Sequence, residues 1–307
     1  MKISTSLYFD RSTQQLSTVQ SNLAKTQEQL STGKNIVKPS DAPDKAALVT
    51  RLQSELSRNT SYQDTLKSAN VRLTSEETAL KNTSDVLYRI KELAVQGANA
   101  TLSPQDRQSV ALEMKGLREQ IMSLANSQDS NGNFLFSGSR TGQPAFAQDA
   151  TGRVSYQGDQ SRMKVNVGDN RRMNLNMPGT DAFVRVTRTD DKGAQTGVDF
   201  FQSLNDLANA VISGDMTNIQ RGIGEVDGLQ NGISNGLAQV GSDLSVVDLQ
   251  TSVLDEVVLR LKTTQSDVED LDYTAAITKM NKDQLALEAA QSSFSKISQM
   301  SLFKFLN

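Results

Sequence analysis

A cluster of carboxylates near the C-terminal end is the part of this sequence that looks most capable of chemistry. Asp267, Glu269, Asp270 and Asp272 lie close together, and paired carboxylates can act as general acid and base or hold a metal ion. The chain has no histidine and no cysteine, so the commonest general base and all thiol chemistry are missing. We therefore expect the cluster to be a solvated helix face or a contact at a joint.

Two other motifs resemble ligand sites only superficially. Residues 129–133 suggest a calcium loop, but Phe134 stands where that loop needs glycine and Arg140 where it needs glutamate. The glycines of residues 222–228 suggest a dinucleotide turn, but the pattern there is helical and no predicted strand precedes them. The sequence predicts a protein that is not an enzyme and has no cofactor, metal or catalytic residue.

Composition indicates helices rather than thick globular cores. Of the 307 residues, 36% are hydrophobic and 5% aromatic, which suits long, thin helical bundles. The net charge is −3 with 32 basic and 35 acidic residues, so we expect no nucleic-acid partner. No stretch approaches the roughly 20 apolar residues of a membrane span, and the N-terminus has no signal-peptide pattern. We expect no membrane partner and no cleaved signal.

Apolar residues at the two chain ends recur at heptad spacing, which predicts that the ends pair as one coiled coil. The stripe near the N-terminus is Phe9, Leu16, Leu23 and Leu30, and the stripe near the C-terminus is Tyr273, Met280, Leu287 and Phe294. Four more apolar residues follow at the terminus and are predicted to bind other molecules: Leu302, Phe303, Phe305 and Leu306.

Between the ends, further heptads predict a helical rod. Leu52, Leu66, Leu73, Leu80 and Leu87 form one stripe. Helical periodicity returns after Phe201, where four glycines at four-residue steps predict the close approach of another backbone: Gly224, Gly228, Gly232 and Gly236. A shift in the stripe near Leu271 predicts a stutter or joint.

Residues from about 134 to 200 alternate at period two and contain many turn residues. The alternating groups predict a small antiparallel β domain that rests on the rod as a surface module. They are Phe134/Phe136, Val154/Tyr156, Met163/Val165/Val167, Met173/Leu175/Met177 and Val184/Val186.

The predicted fold class is mainly α, a coiled-coil rod built from both chain ends with a small inserted antiparallel β domain. The expected domains are the two parts of the terminal coiled coil (residues 1–45 and 265–307), the two halves of the rod (46–133 and 201–264) and the insertion (134–200).

The predicted joint after the first helix contains four marked residues. Gly33 is expected to cap the helix in the left-handed conformation. Ile36 follows in an extended stretch, Asp41 is expected as N-cap of the next helix, and Pro43 in its first turn.

Four segments resemble the flagellin superfamily. Residues 30–36 with 39–43 are similar to its motif after the first helix, and residues 131–138 to the turn that opens the outer domain of hook-associated members. Residues 269–277 are similar to the C-terminal helix of the superfamily, and residues 301–306 to the ending of its junction members.

The resemblance implies a structural subunit of the extracellular bacterial flagellum, secreted through the flagellar type III apparatus without a cleaved signal. Copies of the chain would form a ring between the first hook-associated protein and flagellin. A flagellar export chaperone would hold the C-terminal segment before export.

Two alternatives stay open. The chain could be flagellin, the bulk filament subunit. The β insertion could also be a ligand-binding or adhesive module for which the helices are only a stalk.

Overall fold

The fold is mainly α-helical, as the sequence predicts. A computed structural model describes residues 2–189 and 194–303, and the side chains of residues 2–6, 8 and 297–303 lie outside that description. The chain divides into two compact units: residues 1–59 with 256–307 form unit 1, and residues 60–255 form unit 2. The helices are α1 (Lys2–Thr32), α2 (Pro43–Gly97), α3 (Pro104–Ala125), α4 (Gly179–Ala182), α5 (Phe200–Ser213), α6 (Met216–Glu269) and α7 (Tyr273–Phe303).

Local sequence signals set the helix ends. At the start of α3, the Ser103 hydroxyl accepts from the Asp106 amide at 3.2 Å, and the Asp106 carboxylate accepts from the Ser103 amide at 3.3 Å. This capping box satisfies two amides that the helix cannot pair. Gly214 ends α5 with φ +70°. The predicted shift near Leu271 is a complete break, because α6 ends at Glu269 and α7 begins at Tyr273.

The core of unit 2 follows the predicted heptads of α2. Its two seam lines are buried. Removing apolar surface from water stabilises the fold by about 25 cal/mol per Å². The first line is Leu66, Leu73, Leu80 and Leu87, and the second includes Ala69, Thr83 and Ile90. In the same unit Gln63 Nε2 of α2 donates to Asp255 Oδ1 of α6 at 2.6 Å.

The β insertion consists of three separate antiparallel hairpins among the described residues. They are β1 (Phe146–Gln148) with β2 (Val154–Tyr156), β3 (Lys164–Gly168) with β4 (Arg171–Asn174), and β5 (Val186–Thr189) with β6 (Gln195–Val198). The predicted strand at Phe134 and Phe136 is wrong, apart from one isolated bridge between Gln128 and Phe134. The Phe136 carbonyl instead accepts from the Gly179 amide at 2.8 Å and the Tyr156 hydroxyl at 2.9 Å.

The prediction that the insertion is a surface module is also wrong. Its phenylalanines pack edge-on or stacked against those of α5, with the ring centroids of Phe146 and Phe201 5.3 Å apart. They share one buried cluster with α2, α3 and α6, so the insertion completes the core of unit 2. The buried rings are Phe136, Phe146, Phe183, Phe200 and Phe201.

The glycine stripe of α6 lies under this insertion, and the predicted close approach is confirmed at one position. A Cβ on Gly232 would lie 2.5 Å from Val184 Cγ2 and 2.9 Å from the backbone oxygen of Ala182. At Gly224, by contrast, no atom lies within 4 Å of such a Cβ. Only part of the stripe therefore needs glycine for space.

Within the described ranges, the structure contains no helix with the length and apolar character needed to cross a membrane.

Candidate assembly site

The helices from the two chain ends, α1 and α7, pack against each other as the predicted coiled coil. Phe9 faces Phe294 at one end of the pair and Gly33 faces Tyr273 at the other, so the helices are antiparallel. Thr26 and Ala276 are buried in the seam. Other seam positions are half-buried: Leu16, Val19, Leu23 and Leu30 of α1, and Met280, Leu287 and Phe294 of α7.

At the end of this pair opposite Gly33 and Tyr273, an aromatic contact joins two residues that are far apart in sequence. The ring centroids of Phe9 and Phe294 are 5.0 Å apart with the rings tilted by 45°. Such a pair contributes about 0.5–1.5 kcal/mol beyond its buried area. Phe9 nevertheless stays 41% exposed, so much of its ring is uncovered.

Unit 1 also presents apolar side chains that remain largely exposed to solvent. Leu7, Ile277 and Leu285 are all exposed. The backbone of Leu302 and Phe303 belongs to α7, but their side chains are not among those described. Phe305 and Leu306 lie outside the described residues. Leu7, Ile277 and Leu285 thus leave apolar surface of unit 1 in contact with solvent.

Tyr273, predicted on the C-terminal stripe, lies at the Gly33 end of the α1 and α7 pair. It is 53% exposed. Its hydroxyl lies against Gly33, where a Cβ would be only 2.8 Å away. Gly33 has φ +70° and its amide donates to the Gln29 carbonyl at 2.9 Å, which confirms the predicted left-handed cap.

Backbone hydrogen bonds join the two breaks in the helices at this joint. The Asn35 amide donates to the Glu269 carbonyl at 2.7 Å, and the Leu271 amide donates to the Gly33 carbonyl at 3.0 Å. The segment after α1 and the segment after α6 therefore run antiparallel and satisfy each other's backbone groups.

An ion pair reinforces the joint. Lys34 Nζ donates to Glu269 Oε1, and Gln265 Nε2 donates to Glu269 Oε2 at 2.7 Å. The hydrogen bond from Lys34 holds the pKa of Glu269 below its usual value. The Asp272 carboxylate accepts from the Ala275 amide at 3.0 Å and so caps the first turn of α7. Two members of the acidic cluster, Glu269 and Asp272, thus make contacts at this joint.

Asp41 does not cap α2, which corrects the prediction. The helix begins at Pro43, so Ala42 holds the cap position. Asp41 belongs to a 3-10 turn (Pro39–Asp41), where its carboxylate accepts from Lys25 Nζ at 2.8 Å and from the Lys38 amide at 3.2 Å. The hydrogen bond from Lys25 lowers the pKa of Asp41. Ile36 is half-buried in the preceding stretch.

A buried charged network in unit 2 was missed by sequence reasoning. Arg72 donates to Asp129 Oδ2 at 3.1 Å and to the Leu135 carbonyl at 2.9 Å, which fastens the turn before the insertion to α2. Burial opposes ionisation of Asp129, but hydrogen bonds from the Asn133 and Asn131 amides keep its pKa below the usual value. Glu76, one turn from Arg72, is fully buried.

Residues 129–133 therefore form a structural turn. The Asp129 carboxylate that a calcium loop would offer to a cation is occupied by two backbone amides and an arginine. In the described part of the chain, no three or more acidic side chains form a group able to hold a metal ion.

Comparison with known protein families gives a match for each end of the chain. Residues 3–141 match the bacterial flagellin N-terminal helical region, and residues 223–306 match the bacterial flagellin C-terminal helical region. The two matched regions contain the two helices of the terminal coiled coil.

Individual relatives span the whole chain. Flagellar hook-associated protein 3 of Salmonella typhimurium is 29% identical, with 99% of each chain covered. The flagellin of Listeria monocytogenes is 25% identical, with 97% of this chain and 96% of the relative covered.

A solved structure has the same fold. The flagellar junction protein FlgL of Legionella pneumophila superposes with a TM-score of 0.57 at 15% identity, covering 66% of this chain and 99% of that one. With both helical regions matched and paired in one unit, this chain belongs to the bacterial flagellin family.

Proposed function

We propose that this chain is a structural subunit of the bacterial flagellum that forms the junction between hook and filament. The observation that carries the proposal is the antiparallel pairing of α1 and α7, which joins the two matched family regions while leaving Phe9, Ile277 and Leu285 exposed. Burying such side chains between subunits would drive assembly at about 25 cal/mol per Å².

The names of the full-length relatives favour the junction over the filament body. The Salmonella relative is a hook-associated protein, and the Legionella structure is called a junction protein. We propose the first hook-associated protein as partner on the hook side, flagellin on the filament side, and further copies of this chain around the ring.

We also propose a flagellar export chaperone as a partner before assembly, because an unassembled subunit would expose the apolar side chains of α7 to water. Secretion would use the flagellar type III apparatus without a cleaved signal.

Complementation of a bacterium that lacks its own hook-associated protein 3 tests the proposal. The wild-type chain should restore filaments on hooks and swimming. Phe294→Ala should reduce filament attachment, whereas Gln291→Ala, at an exposed position of the same helix, should behave as wild type. If the wild-type chain is well secreted but the hooks still carry no filaments, the proposal is contradicted.

Flagellin is the second candidate, because the Listeria flagellin also matches almost the full chain. Purified protein that polymerises alone into long filaments would favour flagellin. Protein that only caps hooks and permits filament growth would favour the junction.

The adhesive-module alternative needs a gentler test than deletion of residues 140–190. That deletion would remove Phe146 and Phe183 from the core of unit 2. Replacing the surface loop 139–143 instead leaves these rings in place, and motility should then survive if the helices carry the function.

A further inference from the structure

A glutamate in the middle of the unit 2 core has no role in the assembly described above. Glu76 lies on the second seam line of α2 and its side chain is 0% exposed. Neither carboxyl oxygen has a hydrogen-bond partner within the described ranges. A buried carboxyl of this kind lowers the stability of the fold unless its charge is removed by protonation or balanced by a nearby cation.

Three elements surround this carboxyl. Arg72 comes from the same helix, the Met177 backbone from the segment that leads into α4, and Asp243 from α6. Arg72 and the Met177 backbone favour ionisation of Glu76, whereas Asp243, a second acid, opposes it. Burial is the larger effect, and it raises the pKa of Glu76 to about 8.

Arg72 is the one cation close to Glu76 among these groups, and it is already engaged. Its Nη atoms donate to Asp129 and to the carbonyls of the turn at residues 134 and 135, and only Nε faces Glu76, at 3.4 Å from Oε1. Arg72 and Asp129 balance each other's charge while Glu76 is neutral. An ionised Glu76 would leave one negative charge in excess in the core.

We propose that Arg72 and Glu76 form a protonation-controlled latch for the turn at residues 129–135. With Glu76 neutral, Arg72 holds the turn and the insertion that follows it against α2. When Glu76 releases its proton to water, its carboxylate competes with Asp129 for Arg72 and draws water into the core, and the turn loosens.

Amide hydrogen exchange of the full-length monomer between pH 6 and 9, corrected for intrinsic exchange rates, tests the latch. The Asp129 and Leu135 amides report on the turn, because each donates to a carbonyl at 2.9 Å. A group that is protonated when the turn is closed and ionised when it is open makes opening more favourable by up to about tenfold per pH unit. Protection of the turn amides against exchange should therefore fall by up to about tenfold per pH unit as the pH rises to about 8. Above that pH it should level off.

Glu76→Gln should abolish the pH dependence while keeping the turn protected. Glu77→Gln is the matched control, because Glu77 lies next in sequence on the same helix but pairs with Lys81 at the surface, and it should keep the wild-type slope. An unchanged slope in Glu76→Gln would overturn the proposal. An equal slope at the Ile90 amide of α2 would also overturn it, because the response would then be global unfolding.

A direct titration keeps the proposal testable if Glu76→Gln does not fold. The ¹³C chemical shift of the Glu76 carboxyl in the wild-type chain should titrate with a midpoint above pH 6. A midpoint near the value of an ordinary glutamate, about 4.3, would overturn it.

Discussion

Gly33 and Tyr273 lie in contact across the joint of unit 1, with only 2.8 Å between the position of a Cβ on Gly33 and the Tyr273 hydroxyl oxygen. Gly33 also has φ +70°. Glycine is therefore required there for two independent reasons, one conformational and one of space. The contact links the end of α1 to the start of α7, so the two halves of the terminal coiled coil meet at a fixed register.

Gly33→Ala should lower the free energy of unfolding of unit 1 by about 1–3 kcal/mol, because a Cβ is strained at positive φ and would press on Tyr273. Urea unfolding followed by circular dichroism measures this. Gly116→Ala is the control, since Gly116 lies inside α3 with no atom within 4 Å of a Cβ, and it should be neutral or stabilising by up to about 1 kcal/mol. Equal losses in both variants would contradict this account of the joint.

Glu269→Gln should make unit 1 less sensitive to acid. The hydrogen bond from Lys34 lowers the folded-state pKa of Glu269, so the contribution of the pair is present above the unfolded-state pKa and is lost as the pH falls through the folded-state pKa. Since Lys34 is half exposed, we expect less than about 1 kcal/mol at neutral pH. Unfolding midpoints between pH 6 and 3 should fall less steeply in the variant, and parallel curves would speak against the ion pair.

Gly232→Ala should destabilise unit 2 by about 1–3 kcal/mol, because its Cβ would overlap Val184 and the Ala182 carbonyl. Gly224→Ala, on the same helix with open space around it, should be neutral or stabilising by up to about 1 kcal/mol. Thermal unfolding of the pair of variants measures the difference. A stabilised Gly232→Ala would show that the inserted segment does not pack on α6 at this point.

In the dilute monomer, the amides of Leu16 and Phe294 should exchange quickly with solvent. The seam between α1 and α7 is mostly half-buried, and helices with few tertiary contacts are marginal in water. Hydrogen exchange at low protein concentration measures this, with the Leu80 amide in the buried core of unit 2 as the protected reference. Strong protection at Leu16 and Phe294 would refute the prediction.

The long-period patterns were sufficient to predict the helices and the pairing of the chain ends. Leu66, Leu73 and Leu80 are buried where the heptads place them, because a seven-residue apolar period has few other ways to be buried. Asp41 shows the limit of this approach. Its position before Pro43 is typical of an N-cap, but a lysine from α1 binds its carboxylate instead, and local sequence contains no sign of that tertiary partner.

The buried charges of unit 2 did leave a signal in the sequence. Glu76 falls on the seam line between Ala69 and Thr83, so its heptad position predicts burial although its residue type does not. The phenylalanines of the insertion left a weaker signal. Their spacing suits strands, and only the packing of the hairpins on α5 shows that the rings belong to the core.

Localisation of the chain in intact flagella tests the central claim most directly. A small epitope placed at Gly142, in an exposed loop of unit 2, can be detected by immunogold electron microscopy in cells whose swimming the tagged chain restores. We predict gold label confined to the boundary between hook and filament. Label distributed along the length of the filament would contradict the junction assignment and identify the chain as a filament subunit.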